Sequence, residues 1–166
     1  MIEFKVAGPF EVPVAKHEKS GVKLIEKDFL KPFWDEISLG EDVGVYIFAK
    51  KAAKGFVPLY VGKTEKSFRA EAFNSRNMLM LNEFFHNGDK GTLVLFLICH
   101  PLDKNICSIS IDELETTAIQ YGLKANPSLL NSKKRKPTDT WGIYGVLRCG
   151  RATNPARDLK RCLNID

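Results

Sequence analysis

The chain has 166 residues, of which 44% are hydrophobic and 27% are charged, a balance that predicts one domain with a packed core and a soluble surface. The first residues lack the apolar segment of a secretory signal peptide, and no apolar run approaches the roughly 20 residues that span a bilayer. We therefore expect a cytoplasmic protein. The four cysteines and three histidines show no metal-ligand spacing, which argues against a zinc site or a disulfide framework.

The net charge of +5 is concentrated in the C-terminal segment that begins at Ser132. This segment has nine basic residues against three acids, whereas the rest of the chain carries one more acid than base. Such a concentration predicts a surface that meets phosphates, with Lys133, Lys134 and Arg135 as candidate contacts. The alternative is a basic tail that is simply solvated.

The first predicted elements are an alternating stretch at residues 4–6 and a short helix at about residues 28–37. Two β-rich runs follow, at residues 43–48 and 57–62, with a glycine in the connection between them. They predict a hairpin centred near Ala53.

A helix is predicted next, capped by Thr64 or Ser67 and reaching about Phe85. The unbroken apolarity of residues 92–99 predicts a strand that is covered on both faces.

A capping box of Ser110 and Glu113 predicts the start of a helix that runs to about Lys124. A strand at residues 141–148 and a closing helix at residues 155–163 complete the chain. The prediction is a mixed α/β (α+β) fold with a short, largely antiparallel sheet.

Glu115 is the residue that helical periodicity leaves unexplained. On a wheel of the helix that follows Ser110, it lies in the middle of the apolar arc, among Leu114, Ala118 and Ile119. A carboxylate on a buried face costs several kcal/mol unless it is paired or bound to a metal. Two interpretations stay open here, a structural salt bridge and a ligand for a hard cation.

Three separated pieces of the chain resemble the GIY-YIG nuclease family. Gly44-Val45-Tyr46 is similar to the GIY element, and Tyr60-Val61-Gly62 is similar to the YIG element. Glu115 resembles the single metal-binding glutamate of the family, and Asn131 the asparagine that follows it. The likeness covers residues 43–131, and residues 68–77 look like a subgroup of mostly uncharacterised bacterial and phage proteins.

The resemblance implies a small, mainly antiparallel three-stranded central sheet flanked by helices. It makes residues 43–131 the catalytic core, residues 1–42 an N-terminal extension packed on it, and residues 132–166 a basic C-terminal strand and helix of the same domain. It also implies phosphodiester hydrolysis with one divalent metal, Mg²⁺ or Mn²⁺, held by Glu115.

The chemistry of hydrolysis assigns a role to each candidate residue. In the predicted hairpin Tyr46 and Tyr60 lie opposite each other, and Tyr46, acidified by nearby cations, orients or deprotonates the attacking water. Gly62 leaves room for the substrate backbone, Lys63 contacts a phosphate, and Asn131 supports the site by hydrogen bonds.

The catalytic arginine of the family is out of register in this sequence. It stands about ten residues after the second tyrosine, where this chain has Ala70 between Arg69 and Glu71. Arg69 and Arg76 are two helical turns apart and share a face if the helix is unbroken. Either can supply the missing cation, and we favour Arg76.

Three functions follow in order of preference. The first is a metal-dependent endonuclease that acts on nucleic acid, with DNA favoured over RNA. The second is a catalytically impaired module that binds nucleic acid. The third is a protein-interaction domain in which the tyrosines and Glu115 belong to the core.

Overall fold

The structure is a computed structural model and describes residues 2–16, 21–53, 55–87, 91–131 and 141–165. These residues form an α+β fold of strands and helices. The strands are β1 (Ile2–Glu11), β2 (Ala15–Lys16), β3 (Lys23–Leu24), β4 (Gly44–Ala52), β5 (Gly55–Thr64), β6 (Thr92–Cys99), β7 (Trp141–Tyr144) and β8 (Arg148–Cys149). The helices are α1 (Lys27–Ile37), α2 (Phe68–Glu71), α3 (Ser75–His86), α4 (Ser108–Ala125) and α5 (Asn154–Leu163).

The main sheet is mixed and has six strands, in the order β5-β4-β6-β1-β7-β8. Neighbours from β5 to β1 are antiparallel, and β7 and β8 add to the other side in parallel. The three-stranded sheet that we expected corresponds to β5, β4 and β6, so its extent is a wrong prediction. The reason is that β1 pairs with the side of β6 that the prediction left open.

Within the N-terminal segment, β1 lies in the main sheet between β6 and β7, and α1 packs on one face of that sheet. The division of the chain at residues 42 and 131 stays a prediction. Within the described ranges, no helix is long and apolar enough to cross a membrane.

The sheet is covered on both faces. One face packs on α4 and α5 through Ile111, Leu114 and Leu159, and we call it the α4–α5 face. The opposite face packs on α1, α2 and α3 and is called the α1–α3 face. Residues 93–99 of β6 are buried throughout, which confirms the prediction of a strand covered on both sides.

The helix predicted from residue 68 to about residue 85 is two helices. Ser67 caps α2 by accepting a hydrogen bond from the Ala70 N–H at 3.2 Å, and α2 ends at Glu71. Asn74 then starts α3 by accepting from the Asn77 N–H at 2.9 Å. The interruption arises because Asn74 is a strong N-cap residue in extended conformation, which ends one helix and begins another.

Two further boundaries differ from the prediction. Helix α4 begins at Ser108 after Cys107, so Ser110 is a buried residue inside the helix rather than its cap. The strand expected at residues 141–148 is divided into β7 and β8, because Gly145 adopts a left-handed conformation (φ 72°) and turns the chain. The closing helix is confirmed as α5, with Thr153 as its cap.

Candidate active site

Tyr46 and Tyr60 lie on the α1–α3 face of the hairpin, but they are diagonal neighbours rather than opposite ones. Tyr46 pairs with Gly62, and Phe48 pairs with Tyr60. The predicted pairing is wrong by two residues. Ala52 pairs with Gly55, which moves the centre of the hairpin half a residue past Ala53, and a β-bulge at Leu59 adds a further residue to β5. The two tyrosine rings remain close, with centroids 6.4 Å apart at an angle of 47°.

Gly62 makes room for the ring of Tyr46. A Cβ atom at this glycine would lie 2.3 Å from the Tyr46 Cζ atom and 2.4 Å from its hydroxyl oxygen. The space that we expected the substrate backbone to use is therefore filled by the tyrosine. Both motif glycines thus serve close packing, since a Cβ at Gly44 would lie 2.1 Å from the Ile98 carbonyl oxygen.

The hydroxyl of Tyr46 is held by a residue that the sequence did not single out. The side-chain nitrogen of Asn77 donates to the Tyr46 hydroxyl oxygen at 3.0 Å, and to the carbonyl oxygens of Glu71 and Ala72 at 3.1 Å each. Asn77 is 2% exposed. Its signal in the sequence is a polar residue on the buried stripe of α3, four and eight residues before Leu81 and Phe85.

Both tyrosines keep their protons far above neutral pH. Burial raises the pKa of Tyr46 well above its usual range, and the nearby Tyr60, Glu71 and Glu115 raise it further. Burial also raises the pKa of Tyr60, although the positive charge of Arg76 opposes this. No cation is among the causes of the pKa shift of Tyr46 within the described residues, and its acidification by cations stays a prediction. A neutral phenol is a hydrogen-bond donor rather than a base.

Glu115 lies where its position on the helix wheel predicted. It is 7% exposed on α4, and its negative charge acts on both Tyr46 and Tyr60. The carboxylate thus belongs to the same site as the tyrosine pair, although α4 covers the opposite face of the sheet. Helix α4 packs against β5, the strand of Tyr60.

The two candidate arginines have different surroundings. Arg69 forms ion pairs with Asp35 at 2.9 Å and with Glu41 at 3.0 Å, so its guanidinium is directed to the α1 side of the fold. Arg76 is in the first turn of α3, and its charge lowers the pKa of Tyr60. The break between α2 and α3 removes the shared face that we expected for the two residues.

Lys63 connects the strand of Tyr60 to the helix of Glu115. Its ammonium lies 3.2 Å from a carboxylate oxygen of Glu65 and 3.2 Å from one of Asp112, which is one turn before Glu115 on α4. This half-buried pair of contacts positions α4 against the end of β5. The contact of Lys63 with a phosphate stays a prediction.

Asn131 hydrogen-bonds to the outer edge of β5. Its side-chain oxygen accepts from the Val61 N–H at 2.8 Å, and its nitrogen donates to the Val61 carbonyl oxygen at 2.7 Å. The Leu130 N–H donates to Leu59 and the Asn126 side chain to Pro58, so residues 126–131 cover this edge. An asparagine pairing in this way replaces a neighbouring strand.

Glu115 is the candidate protein ligand for the metal that the resemblance implies. Within the described residues, no group of three or more His, Cys, Asp or Glu side chains is placed to hold an ion. A cation at Glu115 would therefore rely on water and phosphate oxygens for its other ligands. Mg²⁺ is commonly bound in this manner, through one or two carboxylates. The candidate contacts Lys133, Lys134 and Arg135 lie outside the described residues.

The comparisons with known proteins give no relative for this chain. No protein-family model, no curated protein and no solved structure matches it. The resemblance to GIY-YIG nucleases therefore rests on the motif residues themselves and stays a prediction. What the structure adds is that Tyr46, Tyr60, Glu115 and Arg76, which are far apart in the sequence, interact electrostatically at one edge of the sheet.

Proposed function

We propose that this chain is a metal-dependent endonuclease that hydrolyses phosphodiester bonds in nucleic acid, with DNA favoured as the substrate. The observation that carries the proposal is the buried carboxylate of Glu115, whose charge acts on both tyrosines of the hairpin. The charge of this buried acid disfavours ionisation of the buried Tyr46 and of the half-buried Tyr60, and a buried carboxylate costs several kcal/mol unless it is paired or bound to a metal. Binding of a cation by that carboxylate accounts for the arrangement.

In this mechanism Tyr46 acts as a donor. Its hydroxyl oxygen already accepts from Asn77, so its proton is available to orient a water molecule or a phosphate oxygen. Arg76 offsets negative charge on the phosphate, as its effect on Tyr60 indicates. Glu115 would hold Mg²⁺ or Mn²⁺, and such a cation polarises a phosphoryl oxygen.

A second function, a module that binds nucleic acid without cutting it, is favoured by one observation. Glu71 lies close enough to Tyr46 for its negative charge to raise the pKa of the phenol. An acid next to the reacting phosphate would repel it. The third function, a protein-interaction domain, has no such support from the contacts of the site.

The test is nicking of supercoiled plasmid DNA with Mg²⁺ or Mn²⁺ by the wild type and by the Glu115→Ala and Glu115→Gln variants. We expect nicking that both substitutions abolish. The matched control is Glu113→Gln, which removes a carboxylate from the same helix two residues away and should leave nicking unchanged. Equal nicking by Glu115→Gln and the wild type would reject the proposal of a nuclease. If neither the wild type nor any variant nicks the plasmid but the wild type binds DNA in a salt-sensitive way, the binding module is favoured.

A further inference from the structure

A groove of about 360 Å³ lies beside the candidate site, between α3 and the edge of β5. Met80 and Phe84 of α3 form one wall, and Leu59 and Leu130 form the other. The volume is within the range of pockets that hold small organic groups. The groove is open at its rim, where Ser128 is exposed.

Two lining residues of the groove are close along the chain to residues of the tyrosine site. On β5, Leu59 directly precedes Tyr60, and the bulge there places both residues in the cluster on the α1–α3 face. On α3, Met80 follows Arg76 by one helical turn, about 6 Å along the axis. A nucleotide with its phosphate at Tyr60 and Arg76 therefore has its base within reach of the groove.

The chemistry of the lining matches a nucleobase rather than an aliphatic chain. The walls are apolar and include the Phe84 ring, whereas the rim carries amide and hydroxyl groups from Asn87, Asn126 and Ser128. Flat heterocycles need this combination, since their faces stack on apolar or aromatic groups and their edges form hydrogen bonds. Asn126 is held in place by its bond to the Pro58 carbonyl oxygen at 2.7 Å.

A positive charge at the Phe84 end of the groove is also consistent with a nucleotide as the ligand. The ammonium of Lys50 lies 5.7 Å from the centroid of the Phe84 ring. Together with Arg76 it places cations at both ends of the groove, where the phosphates that flank a base would lie. Among the described residues that line the groove, Glu83 is the one acid, and it is exposed.

We infer that this groove binds one unstacked nucleobase next to the phosphate at the tyrosine site, so that the substrate is nucleic acid with an unpaired base. A paired and stacked base cannot enter a groove that is closed on two sides by side chains. The inference rests on the proposed function for the position of the phosphate. It adds a preference for substrates with an unpaired base over fully paired ones, which the tyrosines and Glu115 do not provide.

The test uses two short DNA duplexes, one with a single unpaired 2-aminopurine and one with the same 2-aminopurine paired, bound in the presence of EDTA. We expect the unpaired duplex to bind on the order of 10-fold tighter, because stacking of one base on protein is worth roughly 1–3 kcal/mol. Its fluorescence should also change on binding. In Ser128→Trp, which fills the groove from the rim, the preference should disappear, and Phe84→Leu should reduce it.

Asn105→Trp is the matched control, since it adds the same ring at an exposed position away from the groove and should keep the preference. Equal affinity of the wild type for both duplexes, or an unchanged preference in Ser128→Trp, would overturn the inference. Because EDTA removes metal, the outcome is independent of catalysis. Base-selective binding without nicking would reject the nuclease alone, and Glu115-dependent nicking without selectivity would reject the groove alone.

Discussion

Asn77 donates a hydrogen bond from its side-chain nitrogen to the hydroxyl oxygen of Tyr46 at 3.0 Å, and both side chains are buried. The orientation of the amide is determined by its other contacts. The same nitrogen faces the carbonyl oxygens of Glu71 and Ala72, and a flipped amide would place oxygen against oxygen. Tyr46 is thus an acceptor towards Asn77, and its own proton must point elsewhere.

The first prediction concerns the energy that couples these two residues. Asn77→Leu leaves the Tyr46 hydroxyl and the Ala72 carbonyl oxygen without this donor, whereas the Glu71 carbonyl oxygen keeps the Asn74 N–H at 3.3 Å. We therefore expect the free energy of unfolding to fall by about 1–3 kcal/mol. Tyr46→Phe removes the hydroxyl alone and should cost less. The double variant should cost less than the sum of the two, by about 1 kcal/mol, in denaturant unfolding. Strict additivity would mean that the hydrogen bond does not contribute.

The second prediction concerns Gly62. Gly62→Ala places a Cβ atom within 2.3 Å of the Tyr46 ring, which has no free space because it is buried. We expect a loss of about 1–3 kcal/mol in unfolding free energy and a displaced Tyr46. Gly91→Ala is the control, since its Cβ would meet the flexible side chain of Lys50 at 2.3 Å, which can move away, and the Lys51 carbonyl oxygen at an ordinary contact distance of 3.5 Å. Equal stability of the two variants would contradict the packing argument.

The third prediction separates the two arginines. Arg76→Ala should lower the rate of plasmid nicking on the order of 10²- to 10³-fold, the usual cost of a lost charge-stabilising donor. Arg69→Ala should leave nicking unchanged and lower stability by about 0–1 kcal/mol, because its ion pairs with Asp35 and Glu41 are largely exposed. Equal nicking rates for Arg76→Ala and the wild type would show that Arg76 has no role in the reaction.

Local sequence patterns predicted the hairpin and one candidate site residue. The two β-rich runs that contain Tyr46 and Tyr60 predicted the hairpin, and helical periodicity identified Glu115, because both signals depend only on neighbours in the chain. They could not give the pairing register, since the bulged residue at Leu59 shifts every partner beyond it, from Phe48 to Gly44. The addition of β1 to the sheet depends on contacts between residues nearly a hundred positions apart, such as Lys5 and Cys99.

The electrostatics of the site could not be read from the sequence either. The sign of the pKa shift of Tyr46 depends on how deeply its ring is buried, and burial is decided by α2 and α3 together. From their spacing of seven residues, Arg69 and Arg76 would lie on the same face of one helix. They have different surroundings because Asn74 begins a new helix between them. Asn77 carries the same kind of signal as Glu115, because on a helical wheel of α3 it lies on the buried stripe with Leu81 and Phe85.

The fourth prediction concerns the edge of β5. Asn131→Ala removes two hydrogen bonds to Val61, at 2.8 and 2.7 Å, and should lower the free energy of unfolding by about 1–3 kcal/mol. The Val61 amide should also exchange faster in deuterated water, because its acceptor is lost. The exposed Asn105→Ala is the matched control and should change neither quantity. Unchanged exchange at Val61 in Asn131→Ala would contradict the role of the amide.

The fifth prediction is a loss of stability in alkaline solution. Burial raises the pKa of the Cys162 thiol from 9.0 to about 12, and burial together with the Asp42 charge raises that of Cys99 to about 12. Below pH 9 the folded and unfolded chains both keep these protons, so the thiols add no pH dependence. Between pH 9 and about 12 only the unfolded chain loses them, which favours unfolding.

Each buried thiol should therefore lower the free energy of unfolding by up to about 1.4 kcal/mol for every pH unit above 9. Denaturant unfolding at pH 8, 9 and 10 measures this slope. In Cys162→Ala the slope should be shallower by the contribution of one ionising thiol, which is at most about 1.4 kcal/mol per pH unit. Cys107→Ala is the control, because the hydrogen bond with Ser110 lowers the pKa of that half-buried thiol, so its removal cannot reduce the alkaline loss. A slope that Cys162→Ala leaves unchanged would show that this thiol is not protected from water by the packing of α5 against the sheet.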